Sequence, residues 1–218
     1  MTSNKKKVAV VALVVCLVAI LSLGSLAWFT ASDSVDNELK FVTDFEMDLY
    51  EHGVDFDAET YTWSLNDDEV AKGEETLGNT YENIVPNAYL PKDPTVINKS
   101  SVEPQWIRMS VTVNNVTGWS AIIEEGADLS DIFSGFKAGD WKLASKEAKG
   151  DSLTYTYYLK EPLQPGDTAT LFTGIQIPKD ISVEQAADIA DTIVSVSADA
   201  IQYNGLGVTA PEDAFAKF

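Results

Sequence analysis

Ile107-Arg108-Met109-Ser110-Val111-Thr112-Val113-Asn114 alternates apolar and polar side chains without a break. Successive side chains of an extended chain leave on opposite faces, so a period of two marks a strand with one face in a core and the other in solvent. Leu153, Tyr155, Tyr157 and Leu159 repeat the pattern, and from Leu39 to Leu49 the odd positions read Leu, Phe, Thr, Phe, Met, Leu. His52-Gly53 is expected to end that first strand. Shorter strands are expected at 61–65, 95–98, 141–143, 169–177 and 193–203, with turns at Lys149-Gly150-Asp151 and Gln164-Pro165-Gly166-Asp167 and prolines Pro86, Pro91 and Pro94 punctuating the middle.

The period changes in only a few places. Leu129, Ile132, Phe133 and Phe136 fall at i, i+3, i+4 and i+7, which predicts a short helix near 126–136 with Asp128 or its neighbour as cap. Ser182-Val183-Glu184-Gln185 has capping-box spacing, and Pro211-Glu212-Asp213 opens a helical tail. Many strands at short spacing with few helices argue an all-β antiparallel β-sandwich. Spacing does not choose between jelly-roll and immunoglobulin-like orders.

Upstream of the strands, Lys5-Lys6-Lys7, an unbroken apolar run from Val8 to Leu21 and small residues ending Ser25-Leu26-Ala27 have the layout of a secretory signal. The run is shorter than the roughly 18 to 20 apolar residues that cross a bilayer comfortably, so cutting between Ala27 and Trp28 is expected, with an uncleaved membrane anchor as the alternative. The organisation read from this is a signal peptide at 1–27, an N-terminal segment and connector at 28–38, and a β-sandwich domain at 39–218 carrying an acidic excursion at about 54–80.

Removing the first 27 of 218 residues leaves 191, enough for one large β domain. The net charge of −19 includes three signal lysines and no signal acids, so the mature part stands at −22. With a single arginine, Arg108, it offers no clustered cations for phosphates, which excludes nucleic acid and anionic lipid as expected partners. Cys16, the one cysteine, lies inside the signal, so stability rests on packing and backbone pairing rather than disulfides.

Three stretches carry a family resemblance. AWFTASDSVDNELKFV from Ala27, IVPNAYLPKDPTVINKSSVEPQWIRMSVTV from Ile84, and QPGDTATLFTGIQIP from Gln164 resemble, in this order, the TasA/camelysin family of biofilm-matrix fibre proteins. The resemblance implies release by a SipW-type signal peptidase, a jelly-roll-like sandwich, and secretion to the cell surface or extracellular matrix. It also implies fibres of the protein with itself, with a minor anchoring subunit as a further partner. Assembly in such fibres is by donor-strand exchange, here through Trp28, Phe29, Thr30, Ala31, Ser32 and Val35.

Relatives of camelysin type have been classed as metallopeptidases. A zinc peptidase needs two histidines at helical spacing plus a glutamate base, and this chain has one histidine, His52, read as a lone surface residue. A cysteine nucleophile is absent from the mature part, and nothing marks two acids as a catalytic pair. No catalytic residue is therefore assigned. Asp55, Asp57 and Glu59, and Asp67, Asp68 and Glu69, gather oxygen ligands and are candidates for calcium, although neither set has EF-hand spacing. Asn98-Lys99-Ser100 and Asn115-Val116-Thr117 match glycosylation sequons only by pattern. The sequence thus favours an exported structural protein, with a monomeric surface adhesin or cation-binding module as the alternative and a hydrolase behind both.

Overall fold

The alternating stretch is the centre of the larger sheet. In the strand Gln105–Asn114, Ile107, Met109, Val111 and Val113 are completely buried while Arg108, Ser110, Thr112 and Asn114 are half-exposed. The computed structural model describes residues 30–32, 45–72 and 78–217. The chain divides into two compact units, Met1–Thr30 and Ala31–Phe218, and the fold is that of the second.

In chain order the strands are β1 (Thr30–Ser32), β2 (Met47–Asp57), β3 (Thr62–Lys72), β4 (Tyr89–Pro91), β5 (Thr95–Asn98), β6 (Gln105–Asn114), β7 (Phe133–Ser134), β8 (Trp141–Lys149), β9 (Ser152–Leu159), β10 (Thr168–Thr170), β11 (Gly174–Gln176) and β12 (Val194–Gln202). The helices are α1 (Val116–Ser120), a 3-10 turn at Leu129–Ile132, α2 (Val183–Asp188) and α3 (Pro211–Phe215). Three sheets result, in the orders β1-β12-β6-β9-β8, β10-β5-β2-β3 and β4-β11-β7. Met47 and Val96 from the second sheet, Leu90, Phe133 and Ile175 from the third, and the inward residues of β6, β9 and β12 share one core. The protein is an all-β, sandwich-like fold whose three sheets contribute to that core.

β6 earns its position by pairing on both edges. β12 runs beside it in register from Val194–Val113 to Gln202–Gln105, and β9 from Arg108–Tyr158 to Asn114–Ser152. Its hidden face therefore meets the inward Leu153, Tyr155 and Tyr157 on one side and Ala198 and Ala200 on the other. On the outer face Trp106 and Ile201 are buried as well: Trp106 packs on Tyr203, and the C-terminal helix sets Phe215 against Tyr158 and Arg108.

Several elements differ from the sequence reading. β2 does not stop at His52-Gly53; the register slips there and the strand continues to Asp57. The acidic stretch that follows is the second half of a long hairpin, with β3 running to Lys72 instead of a short strand at 61–65. Opposite the slip, His52 faces Val70 and Gly53 faces Asn66, so Asp67, Asp68 and Glu69 are the residues the register leaves unpaired. A run of charged residues opposite a register slip breaks the alternation that marks a strand, which is why the run reads as a loop in the sequence. Residues 39–44 of the expected first strand lie outside the described residues.

The expected strand at 169–177 is two strands in different sheets. β10 pairs with β5 and β11 with β4 and β7, and between them Leu171 and Phe172 are completely buried, Phe172 stacked on Phe133 at 4.5 Å. The helix at 126–136 shortens to one 3-10 turn, although its cap is Asp128 as expected: the carboxylate accepts from the Ser130 amide at 2.9 Å. Ser182 and Gln185 form their reciprocal cap on α2.

Candidate functional site

Two places gather the residues that could carry function, and the first is the edge of the large sheet. β1 lies beside β12, bringing Thr30, Ala31 and Ser32 of the expected donor segment to that edge. Ala27, Trp28, Phe29 and Val35 lie outside the described residues. Three residues can cover at most a third of the nine-residue β12. Side chains are most open over its first half: Val194 and Val196 pack on the core but remain half-exposed, and Ile193 just before the strand is 62% exposed. The backbone of an edge strand offers free N–H and C=O groups, and apolar side chains left half-open beside it are what an added strand covers.

The second place is a charged cluster beneath the hairpin, and it corrects the reading of His52 as a lone surface residue. His52 donates its backbone N–H to Asp93 Oδ1 at 3.0 Å and meets Asp93 Oδ2 through Nδ1 at 2.5 Å. Beside it, Lys92 Nζ donates to Glu51 Oε1 at 2.6 Å with both side chains nearly out of solvent. Tyr81 donates its hydroxyl to the Pro91 carbonyl, and burial first, then the Glu51 charge, push that phenol above its ordinary value. Asn79 closes the group by donating to the His52 carbonyl at 2.8 Å.

Sequence reasoning missed this cluster because its halves are some forty residues apart. The only signal was Leu90-Pro91-Lys92-Asp93-Pro94, two charges between prolines, and the structure buries both, Lys92 at 8% exposure and Asp93 at 7%. Chemically, an Asp–His pair orients an imidazole as a base. Among the described residues no hydroxyl is hydrogen-bonded to this imidazole, and the pair ties the register slip of β2 to the β4–β5 connection.

The calcium candidates separate. Asp57 is committed to the hairpin turn, accepting from the Glu59 amide at 2.8 Å and the Thr60 hydroxyl at 2.8 Å, while Asp55 accepts from Asn66 at 3.3 Å across the hairpin. Asp67, Asp68 and Glu69 sit on the bulge of the opposite strand. Among the described residues no group of three or more His, Cys, Asp or Glu is placed to hold a metal ion. Of the two sequons, Asn98 is completely buried, its amide donating to the carbonyls of Glu103 and Leu163, and with Ser100 and Gln105 it closes the loop before β6.

No family model, curated protein or solved structure matches this chain. Function is therefore read from its own residues. Among the described residues no helix is long and apolar enough to cross a membrane.

Proposed function

We propose that this chain is an exported structural protein of the cell surface or extracellular matrix, as the resemblance of its sequence to TasA/camelysin fibre subunits implies. The sandwich is jelly-roll-like in this reading, and the subunits join by donor-strand exchange of the segment freed by cleavage between Ala27 and Trp28. One observation carries it: the residues just behind the expected cut, Thr30–Ser32, form a strand beside β12, a nine-residue strand on which Val194 and Val196 are only half covered. An edge that accepts this segment from its own chain can accept it from a neighbour, because the backbone pairing is identical. Head-to-tail donation need not close on itself and so propagates as a filament. Burying Trp28 and Phe29 in the next subunit would contribute on the order of 3 to 6 kcal/mol at about 25 cal/mol per Å².

The test is a variant lacking Trp28 to Ser34, compared with the unaltered protein by electron microscopy over time. The expected outcome is a folded monomer that forms no fibres. Undiminished fibre growth by the truncated protein would sink donor-strand assembly.

A further inference from the structure

The outer face of the large sheet holds a cleft of about 470 Å³ between β8 and the C-terminal helix, within the range of small-ligand sites. Its position follows from an irregularity in β8. The register with β9 steps from Leu143–Tyr157 to Ser145–Thr156, leaving Ala144 as an extra residue. Without that bulge the outward residues of β8 would be Lys142, Ala144 and Lys146. With it they are Lys142, Ser145 and Glu147, and Lys146 turns to the other side, where it reaches Asp128 and lies over the Tyr155 ring. A bulge thus aims a hydroxyl and a carboxylate into the cleft.

The floor is equally polar, with Ser110 and Thr156 joined at 3.2 Å, and Tyr158 standing beside them with its ring stacked on Phe215 at 5.4 Å. The cations are already neutralised. Arg108 gives Nε and Nη2 to Asp199 at 2.9 and 2.7 Å and lies 4.7 Å over the Phe215 ring; Lys142 gives its ammonium to Glu212 at 2.8 Å. Among the described residues no acceptor meets Arg108 Nη1 and no donor meets Glu147.

A phosphate or other strong anion requires uncompensated positive charge, which this cleft lacks. An apolar ligand requires a mainly apolar lining, whereas Leu143, Ala144 and the Tyr158 ring are the apolar minority here among charged and hydroxyl side chains. What remains is an array of donors, acceptors and hydroxyls that are both, beside the Tyr158 ring. The ligand matching it carries many adjacent hydroxyls and no net charge. We propose that this cleft is a binding site for a neutral saccharide.

The purified full chain is titrated by NMR with the hexaoses of glucose (β1,4 and α1,4), galactose and mannose, with chitohexaose, and with hexagalacturonate as the acidic counterpart. Expected is binding of at least one neutral oligomer, weakened at least tenfold by Glu147→Ala and by Arg108→Gln with thermal stability monitored in parallel. Glu147 is exposed and makes no bond among the described residues, so the first variant tests the cleft without disturbing the fold. Three results overturn the proposal: no neutral oligomer bound at millimolar concentration, preference for hexagalacturonate, or binding that Glu147→Ala leaves unchanged. Fibre formation is not measured, so the outcome is independent of the assembly reading.

Discussion

Asp128 joins three elements through one carboxylate. It caps the 3-10 turn, accepts from the Tyr155 hydroxyl on β9, and pairs with Lys146 on β8. Burial pushes its carboxyl up, but the donors from Lys146, Tyr155 and Ser130 outweigh it and hold it well below the ordinary carboxylate range. Burial and the bond to Asp128 push the Tyr155 phenol in the opposite direction. A carboxylate with a depressed folded pKa stabilises the fold fully above its unfolded value, near pH 4, and that stabilisation is lost as the pH falls through the folded value. Asp128→Ala should lower stability by about 1 to 2 kcal/mol at pH 7, the usual cost of a lost cap, and flatten the acid limb of the stability curve below pH 4. Urea melts of both proteins at pH 7 and pH 3 measure this; an equal loss at both pH values would show that the carboxylate's charge is irrelevant.

At the scale of elements, α1 and α2 meet at one glycine. A methyl group on Gly118 would stand 2.6 Å from the Asp188 carbonyl oxygen and 2.9 Å from Asn115 Oδ1. Because the first of these is backbone, the helices must move apart to admit it. That separation also pulls Asn115, whose amide donates to the same carbonyl. Gly118→Ala is expected to cost about 1 to 3 kcal/mol as an overpacking substitution, despite the better helix propensity of alanine; a melting temperature equal to or above that of the parent would contradict the close packing. The free edge of the large sheet is β8, and its Lys142, Lys146 and Lys149 are the kind of charges that keep an exposed edge from pairing indiscriminately. At the other edge the three-residue β1 lies on the longer β12, which has valines and serines over its first four residues instead. The two edges of one sheet are thus chemically different, which gives a strand-adding partner one place to go.

For the whole molecule, charge is the dominant property. Residues 28–218 carry a net charge of −22, so copies of this part repel one another over a distance set by salt, with a Debye length of about 30 Å at 0.01 M and about 8 Å at 0.15 M. If subunits assemble by strand donation, growth should be slow in dilute buffer and accelerate at least several-fold between these salt concentrations. Light scattering calibrated by electron microscopy reads the rate, and growth that slows as salt rises would instead indicate attraction between oppositely charged patches.

Local chemistry was enough to determine the all-β class, β6, β9 and the caps at Asp128 and Ser182, because a period of two and a capping spacing are properties of consecutive residues. Composition likewise determined that residues 28–218 have no thiol and a large negative charge. Tertiary structure decided the rest. The extension of β2 past His52-Gly53 depends on Asp93, forty-one positions away, binding both the amide and the imidazole of His52. The split at Leu171-Phe172 depends on which sheet lies next to each half, while the sequence there is one apolar run. The outward aim of Ser145 and Glu147 depends on a bulge that exists only against β9. Each was invisible for the same reason: sequence periodicity reports which side of its own element a residue faces, whereas the partner across the core or the sheet fixes register, and register is chosen by the whole fold.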